Sequence, residues 1–277
     1  MPEKKVLVTD NRVSETLLIP LYARAREQQQ TPPLLKDIDA ARLVQAIDYD
    51  FSKFELAPMS MTGVVIRASY FDAVVRQFVA NHEQPVVVHL GYGLDTRVQR
   101  LGKAVERAQF YHVDVEQVIA LRDQLLPAEA NESYLSTSMF STEWMDQLAS
   151  QHPDATFLFV IEGVLMYFSY EKNQQLFHDI ATRFPGAEMH FDVISSWLSS
   201  HTYLHDAVRF TKAAFQFGLD DDKEFEQWHP RLQCQGSFNL LGFDGWQRMS
   251  WPVVLGQALF PALRSTTRVV AYLIAND

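Results

Sequence analysis

The sequence predicts an α/β fold, a mostly parallel sheet covered by helices on both faces, and three observations carry that expectation. After Pro85 short apolar runs alternate with helical patterns; the first run ends in a turn, Gly91-Tyr92-Gly93; the second closes on an acid, Asp114. Parallel strands need long crossovers, usually helical, so the two patterns should alternate.

The strand patterns fall at 86–90, 109–113, 156–161 and 188–193, with a shorter one near 133–138 and a last one at 268–274, RVVAYLI. Helical patterns fill 95–104, 116–126, 142–150 and 170–183 between them. A helical preface comes first. It comprises 14–27 (SETLLIPLYARARE), opened by a capping-box-like Ser14 and expected to break near Pro20, then 38–47 behind Pro32-Pro33. Its third helix, 64–79, carries Val64, Ile66, Phe71, Val74, Val75 and Phe78 as an apolar stripe. Residues 195–219 exceed a tight connection and place Trp197, Tyr203, Phe210, Phe215 and Phe217 on a largely helical pattern, which suits either an insertion over a site or a core helix. Asp220-Asp221-Asp222 reads as a solvent-facing cap; it lacks the alternating oxygens and glycine of a calcium loop.

With 277 residues, 47% hydrophobic and 21% charged, the chain can bury a full core. A formal net charge of −10 argues against general affinity for nucleic acid or acidic lipid, which needs clustered Lys and Arg. The single cysteine, Cys234, permits neither an internal disulfide nor a cysteine-built metal site and points to the cytoplasm. Met1-Pro2-Glu3-Lys4-Lys5 leads into no signal-peptide core, and no apolar run approaches the roughly 18 to 20 residues of a membrane span, so a soluble protein is expected.

A strand ending in Gly91-x-Gly93 and turning into a helix lets backbone approach a ligand while the helix N-terminus offers free N–H groups. A dinucleotide fingerprint would continue to a third glycine, but Thr96 stands there, which tilts the choice from NAD toward another nucleoside. Asp114 follows about 20 residues on, where a carboxylate can take both ribose hydroxyls; alone it would equally cap the next helix. Glu162, just past an apolar strand, is a site candidate because ligands bind at the carboxyl ends of parallel strands, and it too could be a cap.

VVVHLGYGLDTRVQRL, FYHVDVEQVIALRDQLL and FLFVIEGVLMYFSYEKNQQLF resemble successive motifs of the leucine carboxyl methyltransferase family. SETLLIPLYARARE and AIDYDF are similar to its bacterial branch named for tetracenomycin polyketide synthesis O-methyltransferases. The resemblance implies a class I methyltransferase fold, a seven-stranded Rossmann-like sheet with its last strand antiparallel, and transfer of a methyl group from S-adenosylmethionine to a carboxylate or hydroxyl oxygen. It implies that Arg67, in GVVIRASYFD, pairs with the cofactor's methionine carboxylate, a task suited to a guanidinium; without it, Arg67 reads as a surface arginine. Gly91 and Gly93 match the cofactor turn, Asp114 the ribose acid, and Glu162 the glutamate of the EGVLMY motif. Ser138 and Met139 align where the family has an Asp-Leu pair near the adenine. Tyr92 replaces a small residue, and His89 stands where many class I enzymes carry an acid.

On this basis one domain is expected over 1–277: a preface or lid at 1–84, a cofactor-binding core at 85–194, a helical insertion over the acceptor site at 195–235, and the C-terminal part of the sheet at 236–277. The expected partner is a small-molecule acceptor, polyketide-like or otherwise an aromatic carboxylic acid, with no nucleic acid, membrane or metal. A protein C-terminal carboxylate and a silent cofactor-binding role are the alternatives; a deep aromatic pocket would favour the small molecule and an open groove the peptide. Displacement from a sulfonium chiefly requires in-line positioning. Tyr167, Tyr203, His201 and His205 are conceivable acceptor contacts, none of them assignable as a base. His201 and His205 lack the intervening Glu of a zinc-protease motif.

Overall fold

The computed structural model describes residues 6–7, 15–239, 242–243, 245–248, 255, 259 and 265–276. Seven strands form the main sheet: β1 Pro85–Leu90, β2 Gln109–Asp114, β3 Glu132–Ser136, β4 Thr156–Ile161, β5 Glu188–Ile194, β6 Leu232–Asn239 and β7 Thr267–Ile274. Their spatial order is β3-β2-β1-β4-β5-β7-β6. Only β7 is reversed, antiparallel to both β5 and β6. This is the class I methyltransferase sheet.

Period-two alternation explains why the central strands are apolar throughout. Val87, Phe110, Leu158 and Val160 face one layer with Phe71, Val75 and Phe78 of helix α3, Pro58–Asn81. Val86, Val88, Phe157, Phe159 and Ile161 face the other, with Trp144 and Leu148 of α6, Glu143–Gln151, and Phe177 and Ile180 of α7, Tyr170–Arg183. The strand order reverses between β1 and β4, and that switch point opens a crevice at their carboxyl ends.

The preface packs as a third apolar cluster. Leu18 and Leu21 of α1, Leu18–Glu27, meet Leu43 of α2, Ile38–Ala46, Val65 of α3, and Val118 and Leu121 of α5, Glu116–Leu125. No break occurs at Pro20: it lies in the first turn of α1, where a helix leaves its N–H groups unpaired anyway. Ser14 lies outside the described residues. The third preface helix starts at Pro58, six residues ahead of its apolar stripe, because proline suits a first helical position.

Residues 195–219 are much less helical than expected. They hold α8, Ser196–Ser200, and two single 3-10 turns at Thr202–Leu204 and Val208–Phe210. Beyond Thr211 the chain runs irregularly, and Phe217 and Leu219, two apart, are both buried in the main core. Alternation rather than a helical stripe governs that stretch. Backbone bonds from Gln216 to Met166 and from Leu219 to Ile194 lash it across the carboxyl ends of the strands. The acid triplet is also put to use: Asp220 accepts from the backbone and hydroxyl of Ser196, and Asp222 pairs with Arg268 at 2.9 Å. β6 has no apolar run to announce it, since its edge position leaves alternate residues exposed. Its start at Leu232 falls inside the stretch expected as insertion. Among the described residues no helix is long and apolar enough to cross a membrane.

Candidate active site

The crevice is a cavity of about 970 Å³ that receives residues from the preface, the ends of β1, β2, β4 and β5, and the 195–219 segment. Gly91 and Gly93 both adopt positive φ, +67° and +56°. At Gly91 a Cβ would come within 2.6 Å of Val164, so the glycine lets the loop after β4 close onto the loop after β1. Asp114, at the end of β2, accepts the Gly93 N–H on one oxygen and the Val115 N–H on the other, each at 2.8 Å. Burial raises its pKa, partly offset by those two bonds. A carboxylate has about four lone-pair sites, so two remain for ribose hydroxyls. A nucleoside fits this arrangement.

Arg67 reaches from α3 into the same cavity. Its Nε donates to Glu162 at 3.0 Å and its Nη1 to Asp192 at 2.8 Å. Burial opposes the guanidinium charge, yet Asp192 and Glu162 more than restore it. Nη2 has no hydrogen-bond partner among the described residues and lies over Gly163, whose φ is +71° and where a Cβ would sit 2.9 Å away. It is therefore free to take a ligand carboxylate.

Glu162 binds a second arginine, Arg97, through Nη2 at 2.6 Å, and Arg97 also pairs with Asp72 at 2.8 Å and Asp95 at 3.2 Å. Arg100 joins Asp72 and Asp95 at 2.7 and 2.5 Å; Arg24 joins Asp37 at 2.9 Å and donates to the Leu94 carbonyl. This network ties preface to glycine turn, and its members Arg24, Asp37, Asp72, Arg97, Arg100 and Asp192 carried no role in the sequence reading. A signal existed for Asp192, a charge in the middle of an apolar strand, and for Arg97, in the DTR of the first motif.

Tyr92 does not crowd the glycine turn. Its ring goes into the sheet, 3.8 Å from His112 in a near-parallel stack, with the Arg122 guanidinium 4.5 Å from its centroid. Arg122 in turn donates to the carbonyls of Gly93 and Asp95, fixing the turn from α5. His89 is buried beside this stack, with no hydrogen-bond partner on either ring nitrogen among the described residues. Burial, then His112, holds its pKa well below the ordinary value, and burial takes His112 down to about 4.

The unfolded chain takes up protons at such histidines near pH 6.5 while the folded protein does not, so stability falls as pH drops below that, at about 1.4 kcal/mol per pH unit for each histidine. For His112 the loss levels off near pH 4. His89→Phe should remove one share of that slope between pH 6.5 and 5, as read from urea midpoints at several pH values; an unchanged slope would show that His89 is protonated in the fold.

The cavity is also lined by Met59, Ser60, Tyr167, Trp197, Leu204, His205 and Phe215. Of the four aromatic or histidine contacts considered from sequence, Tyr167 and His205 line it, whereas His201 stacks on Trp197 and Tyr203 is exposed, neither lining the wall. Burial depresses the His205 pKa, and its Nδ1 accepts the Val208 N–H at 3.2 Å. Burial raises Tyr167 to about 12. Asp206 accepts the N–H groups of Met59 and Ser60 and the Ser60 hydroxyl, capping α3. Ser138 is exposed, with its oxygen turned to the Phe140 N–H, and Met139 is in the core; neither lines the cavity. Among the described residues no group of three or more metal-ligating side chains occurs.

A seven-strand sheet in this order with one reversed strand, and with a glycine turn and strand-end acid beside its switch point, is the fold of class I methyltransferases. A family model for leucine carboxyl methyltransferase matches residues 18–181, and the chain belongs to that family. It is 30% identical over 264 residues to the tetracenomycin polyketide synthesis O-methyltransferase TcmP of Streptomyces glaucescens, covering 94% of this chain and 96% of that one. It is 28% identical over 264 residues to dpfgK of Gibberella zeae, an S-adenosyl-L-methionine-dependent methyltransferase, covering 86% and 88%. Among solved structures, a duf574 family protein from Streptomyces avermitilis superposes with a TM-score of 0.59 at 11% identity, over 95% of this chain and 98% of that one. At such identity the likeness concerns the fold alone.

Proposed function

We propose that the enzyme methylates an oxygen that is already ionised, a carboxylate on a small, flat, polyketide-like or other aromatic molecule. In this reading Arg67, Gly91, Gly93, Asp114 and Glu162 hold the cofactor, and the described residues of the preface and of 195–219 cover it. The observation that carries the choice of oxygen is the state of His205. With Nδ1 occupied by the Val208 N–H, its proton stands on Nε2, which makes it a donor. Tyr167 is protonated, and both Asp206 oxygens are engaged at α3. Among the described residues, the titratable groups at the acceptor end thus offer donors and no free base. Such a chamber suits an acceptor that needs no deprotonation. The whole cavity, the cofactor's part included, is about 970 Å³, at the upper end of the small-molecule range.

When bound, the cofactor supplies a methyl group on a sulfonium, already activated toward displacement. The protein's part is to present the oxygen in line, beside a wall that includes Trp197, Leu204 and Phe215. Tyr167 and His205 are placed to donate to the acceptor oxygens.

Transfer of labelled methyl to a panel of aromatic carboxylates, phenols and peptides with free C-termini tests this reading. We expect products that mild base saponifies, as esters are, and a kcat/KM that is level from pH 6 to about 8. A phenol of pKa about 10 would instead climb tenfold per pH unit. Base-stable ethers formed at a rate that rises with pH would overturn the proposal, and transfer to peptides alone would favour the protein-carboxylate alternative.

A further inference from the structure

We propose that Asp192 is a positioning residue for the amino-acid end of the cofactor: by holding Nη1 of Arg67, it presents Nη2 to the cofactor's carboxylate. Asp192 stands inside β5 between Phe191 and Val193 and is fully buried. A strand gains nothing from a carboxylate there, and burying one is costly unless both oxygens are used. Both are: one accepts the Gly163 N–H at 2.5 Å, the other Arg67 Nη1 at 2.8 Å. One buried side chain therefore sets the loop after β4 and the guanidinium that lies over it. Gly163 closes the arrangement, since any side chain there would meet Arg67 Nη2.

Without Asp192 the guanidinium would keep one anchor, Glu162 at Nε, and could swing about it. Glu162 is itself held by Arg97. With two anchors, on Nε and Nη1, the free Nη2 has one direction to face. A fixed donor binds an anion better than a mobile one, because the ordering is done before the ligand arrives.

The proposal rests on Arg67 taking the cofactor carboxylate, and the test separates the two ideas. Calorimetry on the wild type, Arg67→Met, Asp192→Asn and the double variant would use S-adenosylhomocysteine and 5′-methylthioadenosine, which has the same nucleoside but no amino-acid end. Asparagine keeps the size and the acceptor for Gly163 but cannot accept a second bond from Arg67 through its amide nitrogen. Asp192→Asn should weaken S-adenosylhomocysteine by about 10 to 100-fold and leave 5′-methylthioadenosine within about twofold. In the Arg67→Met background it should add nothing.

Equal losses for both nucleosides, or independent losses in the double variant, would overturn the role of Asp192. If Arg67→Met leaves the preference between the nucleosides unchanged, the assignment of Arg67 fails instead. Should Asp192→Asn not fold, a crystal structure of the wild type with S-adenosylhomocysteine decides. The Asp192–Nη1 bond retained beside a carboxylate on Nη2 supports the proposal, and an Arg67 turned away from Asp192 refutes it.

Discussion

Arg97→Met is expected to remove about 3–5 kcal/mol of stability, the cost of breaking a buried ion pair by deleting one partner. Arg97 is 1% exposed, and three carboxylates, Asp72, Asp95 and Glu162, lie within 3.2 Å of it. Methionine fills much of the arginine's volume, so the loss comes from charges left unmatched rather than from a cavity. Arg100 still compensates Asp72 and Asp95, and Arg67 still compensates Glu162, which keeps the expected figure from being larger. For a chain of this size the melting temperature should fall by on the order of 10 °C. Denaturant midpoints and scanning calorimetry measure it; a loss under about 1 kcal/mol would mean that water reaches the network.

Asp114→Ala should weaken S-adenosylhomocysteine by at least about 100-fold, because two charge-assisted hydrogen bonds to ribose hydroxyls are worth roughly 3 kcal/mol or more together. The substitution also frees the N–H groups of Gly93 and Val115, which the carboxylate now holds at 2.8 Å, so the turn loses its brace along with the ligand's anchor. Asp114→Asn, which keeps an acceptor for one of those groups, should fall between. Ser138→Ala is the contrast: exposed and outside the cavity wall, it should change affinity by less than about twofold. Calorimetry on the three variants ranks them. An Asp114→Ala protein that binds within about threefold of wild type would remove this acid from the site.

These expectations draw on different levels of the molecule. Strand β4 at Thr156–Ile161 and helix α7 at Tyr170–Arg183 fall at the residues their patterns indicate, because α7 is a long periodic run and β4 an unbroken apolar one, each legible along the chain itself. The turn at Gly91 and Gly93 and the acid at Asp114 were legible for a similar reason, since a strand, a tight turn and a helix start are all local. Residues 195–219 misled because aromatic residues at mixed spacings satisfy a helical pattern about as well as an extended one. What decided between them was the hydrogen bonding of that stretch to Met166 and Ile194, which lie far away in sequence.

The sequence by itself thus determined the sheet-and-helix order, the glycine turn and the acid that faces it, and, through the resemblance of its motifs, the methyl-donor chemistry and the prominence of Arg67 and Glu162. Only the tertiary structure decided how Arg67 is held, which of the candidate histidines and tyrosines reach the cavity, where the Tyr92 ring goes, and that Ser138 stands apart. Periodicity is written along the chain, but an ion pair is settled by distances near 3 Å between side chains that the sequence separates. Arg97 and Asp72 are 25 positions apart, and Arg67 and Asp192 are 125 apart. No local pattern carries that pairing; the packing of α3 across the switch point does.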